Sequence, residues 1–220
     1  MKINSLTNSP NFCAIKVAKT KILECEPLCF DVYELYRGDR YFLQNFIANY
    51  DMQKMYPAIP TFENERWWNI LKYCVTRAFS DENSSFLATY NNKPCGIMTF
   101  NQDEHNVINL EGMSSIPTEV NKKMPFVGKA LFYQLFKYAN EKDVKGISLN
   151  AVLDGPFDII NKYLNLGFKE GKSFTNRGHK YLSMFCNKHK IAEQLKELPF
   201  HIGYQEITED KHVNLNKILY

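Results

Sequence analysis

Two long segments of the chain place apolar residues at helical spacing. Within residues 61–79 the apolar positions recur every three or four residues, which predicts a helix with Thr61 as its N-cap. Residues 127–140 carry a second stripe of this kind and predict another helix. Shorter stripes predict helices over residues 39–49 and 187–198. Each of these helices has one apolar side, so each needs a partner surface to cover it.

Short runs of β-branched and aromatic residues between the helices predict strands. Three of them, Ser85–Tyr90, Cys95–Phe100 and Val107–Ser114, are separated by turns rich in Asn, Asp and Pro. This spacing predicts an antiparallel meander. One or two earlier strands are predicted within Cys13–Tyr36.

The pattern changes in the second half of the chain. After the helix over residues 127–140 we predict a strand over Gly146–Leu153, and then a short helix with Pro156 in its first turn and Gly167 at its end. A further strand is predicted over Tyr181–Phe185. Alternation of strand and helix is typical of a parallel crossover, so the predicted fold class is α/β.

The length of the chain, 220 residues, permits one large domain or two small ones. The order of the motifs favours a single domain over residues 13–198, preceded by a loose N-terminus at 1–12 and followed by an extension at 199–220. Uncharged apolar stretches are all shorter than ten residues, well below the ~20 that span a bilayer. We therefore expect a soluble, cytoplasmic protein that does not enter membranes.

The overall charge is small. Lys and Arg total 27 and Asp and Glu total 24, which gives a formal net charge of +3. Proteins whose main role is to bind nucleic acid usually concentrate far more basic charge, so nucleic acid is not expected as the partner. A hydrophobic content of 45% also excludes a disordered chain.

The six cysteines contain no CxxC pair, so no metal site is predicted. Cys74, Cys95 and Cys186 lie within apolar patterns and are expected to be small buried side chains.

The segment most informative about chemistry opens the helix of residues 127–140. Its sequence over residues 122–132 is KKMPFVGKALF, with Gly128 at the start of the helix and lysines at 122, 123 and 129. The free N–H groups of a helix start form a site for phosphate, and nearby lysines favour an anion. The alternative interpretation is that Gly128 only allows close packing.

A second motif supports the interpretation of the first as a phosphate-binding site. Residues 163–168 read YLNLGF, which places Tyr163 shortly before Gly167 and Phe168. Together the two segments resemble the GCN5-related N-acetyltransferase (GNAT) superfamily, with agreement in order and spacing over about residues 85–185. In that family a meander leads to a pyrophosphate-binding loop, Q/R-x-x-G-x-G/A, and a later helix ends in F/L-Y-x-x-x-G-F.

The resemblance implies a mixed central sheet flanked by helices, acetyl-CoA as cosubstrate and no metal. Two registers of the loop are open. In the preferred register Gly128 matches the last small residue of the family pattern, so Lys123 stands in place of Q/R and Phe126 in place of the first glycine. In the other register Gly128 and Ala130 match the G-x-G/A part of the pattern. The implied cofactor-binding residues are Met113, Ser114, Ser115, Lys123, Phe126, Val127, Gly128, Lys129 and Ala130.

Acyl transfer from a thioester requires a neutral amine, a polarised carbonyl group and a proton for the departing thiolate. Backbone amides of Met113–Ser115 are expected to stabilise the carbonyl oxygen. By resemblance, Tyr163 donates the proton to the thiolate. Glu111 is the first candidate for the base. Alternative bases are Asp103, Glu104, His105 and Glu119, whereas His179 and His201 stand apart from any clear partner and receive no role.

The predicted function is direct transfer of an acetyl group from acetyl-CoA to an amine acceptor in a ternary complex. The helices over residues 39–49 and 61–79 would border the acceptor, which is a small molecule or a peptide amine. One alternative is a non-catalytic acyl-CoA-binding or interaction protein on the same fold. Another is a family member that acylates an amine carried by tRNA. A homodimer is left open.

Overall fold

A computed structural model describes residues 14–23, 28–122, 124–154, 158–198, 202–207 and 212–215 of the chain. The helices in this part are α1 (Arg40–Asn49), α2 (Met52–Met55), α3 (Thr61–Arg77), α4 (Val127–Glu141), α5 (Ile160–Asn165) and α6 (Lys188–Glu197). The strands are β1 (Ala14–Ile22), β2 (Cys29–Glu34), β3 (Asn83–Tyr90), β4 (Lys93–Gln102), β5 (Val107–Ser115), β6 (Gly146–Val152), β7 (Lys169–Asn176), β8 (His179–Asn187), β9 (Ile202–Glu206) and β10 (His212–Val213).

The ten strands of the described residues belong to one sheet, in the order β10-β1-β2-β3-β4-β5-β6-β8-β7, with β9 also paired to β1. The β5–β6 pair is parallel, because α4 carries the chain across the sheet between these strands. The other described pairs are antiparallel. The predicted α/β class with a mixed sheet flanked by helices is therefore confirmed.

A separate hydrophobic core lies on each side of the sheet. We call the side covered by α4, α5 and α6 the α4 face; its core includes Phe132, Phe136 and Ile191. The opposite side, the α3 face, is covered by α1 and α3, and its core includes Phe42 and Leu71. The sheet thus separates two sets of helices, which can contact each other only where the strands part.

The side chains of a strand alternate between the two faces. Leu182, Met184 and Cys186 of β8 are buried in the core of the α4 face. Ser183 and Phe185, which alternate with them, lie on the α3 face. The predicted burial of Cys186 is confirmed, as is that of Cys74 and Cys95.

The start of α3 differs from the prediction. Thr61 is the first helical residue, and Pro60 occupies the cap position without any side-chain hydrogen bond. The carbonyl oxygen of Pro60 accepts the first helical bond from the Asn64 N–H, at 3.0 Å. Because proline restricts its own φ and the conformation of the residue before it, the chain enters the helix without a hydroxyl cap.

The sequence pattern did not reveal β7. All of its residues, Lys169–Asn176, are exposed, so it lacks the apolar alternation that marks a half-buried strand. It pairs with β8 at the edge of the sheet, and this extra hairpin makes β8 antiparallel to β6. β9 and β10, within the predicted C-terminal extension, both pair with β1.

Several predictions fall outside the described residues: the loose N-terminus at 1–12, Lys123, Pro156 and His201. No helix in the described part of the chain is long and apolar enough to cross a membrane. Among the same residues, no three His, Cys, Asp or Glu side chains are grouped so that they could hold a metal ion.

Candidate functional site

The site is centred on a gap between two parallel strands. β5 and β6 pair as far as Leu110 and Leu149, and no pairing follows although both strands continue, to Ser115 and Val152. β5 stays paired with β4 up to its end, where Ser115 lies opposite Gly96. The two strands therefore diverge into a wedge that opens toward their C-terminal ends. We call this wedge the splay.

A β-bulge marks the point where the splay begins. Thr99 of β4 pairs with Gly112, while its neighbour Phe100 pairs with Leu110. Glu111 is thus the extra residue of β5, with no partner on β4. A bulge bends its strand and increases the local twist, which accounts for the turn of β5 away from β6 here.

The start of α4 lacks a cap. Phe126, just before the helix, has a left-handed backbone with φ of 63°, and no side chain caps the helix. No acidic residue lies in the first turn either. The Lys129 ammonium lies 5.9 Å from the centre of the Phe126 ring. Uncapped N–H groups, the helix dipole and this cation together favour an anion at the position.

Gly128 is not required by the packing of the protein itself. A Cβ added there would lie 3.6 Å from the Met113 Cε, an ordinary van der Waals contact. At Gly96, by contrast, an added Cβ would lie 2.8 Å from the Val127 Cγ2. The close-packing interpretation therefore applies to Gly96 and not to Gly128, whose backbone stays accessible to a ligand.

The predicted oxyanion residues lie within the splay. Met113 turns its side chain to the α4 face, beside Gly128, whereas the Ser114 hydroxyl lies on the α3 face. Along a strand the N–H groups alternate in direction, so every second one in this stretch points away from β4. The Trp67 indole N–H donates to the Ser114 Oγ at 3.1 Å and to the Ser115 carbonyl oxygen at 3.0 Å. These two hydrogen bonds anchor α3 to the end of β5.

Tyr163 lies on α5, on the α4 face, and is only 8% exposed. Its ring packs against Phe132 and Phe168, with centroids 5.7 and 5.9 Å away. Gly167, with φ of +87°, ends the helix so that the Phe168 N–H reaches the Tyr163 carbonyl oxygen at 3.0 Å. The YLNLGF motif therefore has a structural basis: the left-handed glycine folds phenylalanine back onto tyrosine.

Burial raises the pKa of Tyr163 to about 12, and the Cys74 thiol acts in the same direction. Cys74 belongs to α3, and its Sγ lies 2.8 Å from the position a Cβ on Gly112 would take. Cys74 therefore packs directly against β5, next to the bulge residue Glu111. A phenol with so high a pKa stays protonated at neutral pH and can donate a proton.

Glu111 lies in a hydrogen-bonded network on the α3 face. Its Oε2 accepts from the Tyr73 hydroxyl at 2.8 Å, and its Oε1 accepts from the Asn101 amide at 3.0 Å. The Arg77 guanidinium is 3.5 Å from Oε2. Burial raises the pKa of Tyr73, and the bond to Glu111 adds to this rise. The bulge, α3 and β4 together therefore hold the carboxylate in one orientation.

Of the other candidate bases, three lie at the far end of β5 and one lies in an exposed ion pair. Asp103, Glu104 and His105 form the turn before β5, at the opposite end of that strand. Backbone hydrogen bonding, chiefly from the Val107 N–H, holds the pKa of Asp103 below its usual range. Glu119 pairs with Lys122 at 3.2 Å, and both side chains are exposed.

The structure corrects one prediction about histidine. His179 has close partners: its Nδ1 contacts the Arg66 guanidinium and lies 3.6 Å from the Asp154 carboxylate. These residues come from α3, the end of β6 and the start of β8. Because they are far apart in sequence, no local pattern could have joined them.

Comparisons with known proteins identify the fold. No family model matches the chain, and no curated protein matches it. Among solved structures, the ribosomal-protein-S18-alanine N-acetyltransferase from Escherichia coli is 16% identical and has a TM-score of 0.50, over 72% of this chain and 93% of its own. A variant of the spermidine N-acetyltransferase from Vibrio cholerae is 15% identical with a TM-score of 0.51, over 74% and 96%.

A nourseothricin acetyltransferase is 16% identical with a TM-score of 0.42, over 49% of this chain and 66% of its own. The similarity to the first two structures shows that the chain has the fold of the GNAT acetyltransferases, as its motifs predicted.

Proposed function

We propose that the protein is an N-acetyltransferase that moves an acetyl group from acetyl-CoA directly to an amine in a ternary complex. The observation that carries this proposal is the splay, with the uncapped start of α4 and the buried Tyr163 both on the α4 face of the sheet. The two fold neighbours with TM-scores of 0.50 and 0.51 are both named as N-acetyltransferases, which supports the same chemistry here.

The residues on the α4 face fit the pyrophosphate and thioester ends of acetyl-CoA. The N–H groups of Val127, Gly128 and Lys129 would bind the pyrophosphate, and the lack of a side chain at Gly128 lets the backbone approach it. Phe126 and Ala130 flank this turn. The N–H groups of Met113–Ser115 that face the splay would bind the carbonyl oxygen of the thioester.

The acceptor would enter from the α3 face. An alkylammonium with a pKa of ~10.4 must lose a proton before it can attack. We assign Glu111 as the acceptor of this proton, with the exposed hydroxyl of Tyr73 as the relay between amine and carboxylate.

The neutral nitrogen then forms a bond to the carbonyl carbon, and the carbon–sulfur bond breaks. Tyr163 donates its proton to the departing thiolate, and the proton released by the new amide nitrogen restores the phenol. The net products are an acetamide, free CoA and one proton. The apolar surroundings of Tyr163 keep it protonated until the thiolate departs.

The proposal is tested by incubating the protein with acetyl-CoA and a panel of amines and peptides, followed by mass spectrometry of the products. The expected result is a mass gain of one acetyl group on at least one acceptor. Calorimetry with acetyl-CoA separates the outcomes: binding without any acetylated product would leave a non-catalytic acyl-CoA-binding protein, and absence of binding would refute both.

A further inference from the structure

Arg66 of α3 makes contacts that cross the wide end of the splay. Its guanidinium donates to the Asp154 Oδ2 at 2.8 Å and also bonds the Asp154 carbonyl oxygen and the His179 Nδ1. Asp154 follows the end of β6, and His179 begins β8. The Arg66 side chain is only 14% exposed, so these bonds form in a partly desolvated place where charge-assisted pairs are stronger.

The adjacent residue makes the matching contact on the other strand. Trp67 donates to the end of β5, at the Ser115 carbonyl oxygen, while Arg66 reaches the end of β6. Because β5 and β6 are not paired beyond Leu110 and Leu149, α3 is the described element that joins their separated ends on the α3 face. The splay is thus closed by strand pairing at its narrow end and bridged at its wide end.

We propose that Arg66 is a positioning residue: its bonds to Asp154, together with its contact to His179, form a strut that holds α3 across the splay and sets the opening through which the acceptor enters. This role rests on the proposed acetyl transfer, because it concerns the acceptor side of that site. Arg66 itself takes no part in the reaction. Loss of the strut weakens acceptor binding, whereas acetyl-CoA, bound from the α4 face, is little affected.

The strut is tested first without any ligand, by amide hydrogen exchange of residues 61–72. In R66A these amides exchange about tenfold faster than in the wild type, as expected when a charge-assisted bond is lost.

R37A is the matched control, since it breaks an exposed Arg–Asp pair, with Asp81, that includes no residue of β5 or β6. It should behave as the wild type does. D154N serves as a second variant if R66A does not fold, and it should also exchange faster than the wild type. Equal exchange in R66A and wild type would overturn the strut.

Activity gives an independent measurement, with spermidine and a peptide with an N-terminal alanine as acceptor probes. R66A should raise the acceptor KM about tenfold and leave kcat and the acetyl-CoA Kd within about twofold. A fall in kcat with unchanged KM would also overturn the proposal. If neither probe is acetylated, the panel decides on the proposed function, and the exchange experiment decides whether the strut exists.

Discussion

On the α4 face of the splay, apolar and aromatic packing holds the proposed proton donor; on the α3 face, hydrogen bonds and ion pairs hold the proposed base. Tyr163 is enclosed by Phe132 and Phe168, close to it in space. Glu111 is held by Tyr73, Asn101 and Arg77, which come from two other elements.

The difference between the two faces matches the difference between their proposed ligands. A rigid apolar wall suits a cosubstrate that is always the same, and it keeps a phenol protonated by excluding water. A polar network can be changed by substitution of a few surface residues, which suits an acceptor that varies among proteins of one fold. The predictions below test the two faces separately.

The largest effect is expected on the α4 face, from Y163F. The substitution removes the proton donor but keeps the ring, so turnover should fall about 10²–10⁴-fold while acetyl-CoA affinity changes by less than about twofold. Steady-state kinetics and calorimetry measure the two quantities. Y138F is the control, because Tyr138 also packs by ring contacts, on Phe86 and Phe100, and should keep full turnover. Unchanged turnover in Y163F would remove Tyr163 from the mechanism.

A somewhat smaller effect is expected on the α3 face, from E111Q. The amide can still accept from Tyr73 but cannot take up a proton, so kcat/KM at neutral pH should fall about 10²-fold. The rate should recover partly as pH rises toward the pKa of the amine. E141Q, which alters an exposed carboxylate paired with Lys137, should behave as wild type. If E111Q retains wild-type rates at neutral pH, another group accepts the proton.

The buried carboxylate of Asp39, at the start of α1 on the α3 face, makes stability depend on pH. Burial raises the pKa of Asp39 from 3.8 to about 6, so the folded protein holds this proton more tightly than the unfolded chain. Stability should therefore fall as pH rises from 4 to 6, by about 3 kcal/mol for this group, and stay lower above pH 6.

Denaturant unfolding at several pH values measures this dependence. D39N should flatten the curve between pH 4 and 6, whereas D81N, at an exposed carboxylate, should leave its slope unchanged. If D39N keeps the same dependence of stability on pH between pH 4 and 6, groups other than Asp39 cause that dependence.

The smallest effects are expected from alanine substitutions at two glycines near the start of α4, Gly96 and Gly128. G96A should lower stability by about 1–3 kcal/mol, because its Cβ would be forced against Val127. G128A should raise stability by about 0.5–1 kcal/mol through helix propensity, yet weaken acetyl-CoA binding where its methyl group meets the ligand. Thermal unfolding and calorimetry test both. Unaltered acetyl-CoA affinity in G128A would place the pyrophosphate elsewhere.

The predictability of the two faces from sequence also differs. The helix containing Gly128 and the YLNLGF motif are continuous segments, so periodicity and local motifs predicted them. The network of Glu111 and the bridge of Arg66 join residues that are up to 113 positions apart, as with Arg66 and His179. Local patterns carry no information about such pairs. β7 escaped prediction for another reason, since an edge strand exposed along its whole length has no apolar alternation.

By itself, the sequence determined the α/β class, the meander, the helix that starts at Val127 and the tyrosine placed before Gly167. These features depend on the spacing of neighbouring residues and on backbone preferences, which act over a few positions. Only the tertiary structure decided where β5 parts from β6, that Glu111 is a bulge residue, and that His179 faces Arg66. Those features arise when strands and helices distant in sequence pack together, and the geometry of that packing is a property of the whole fold.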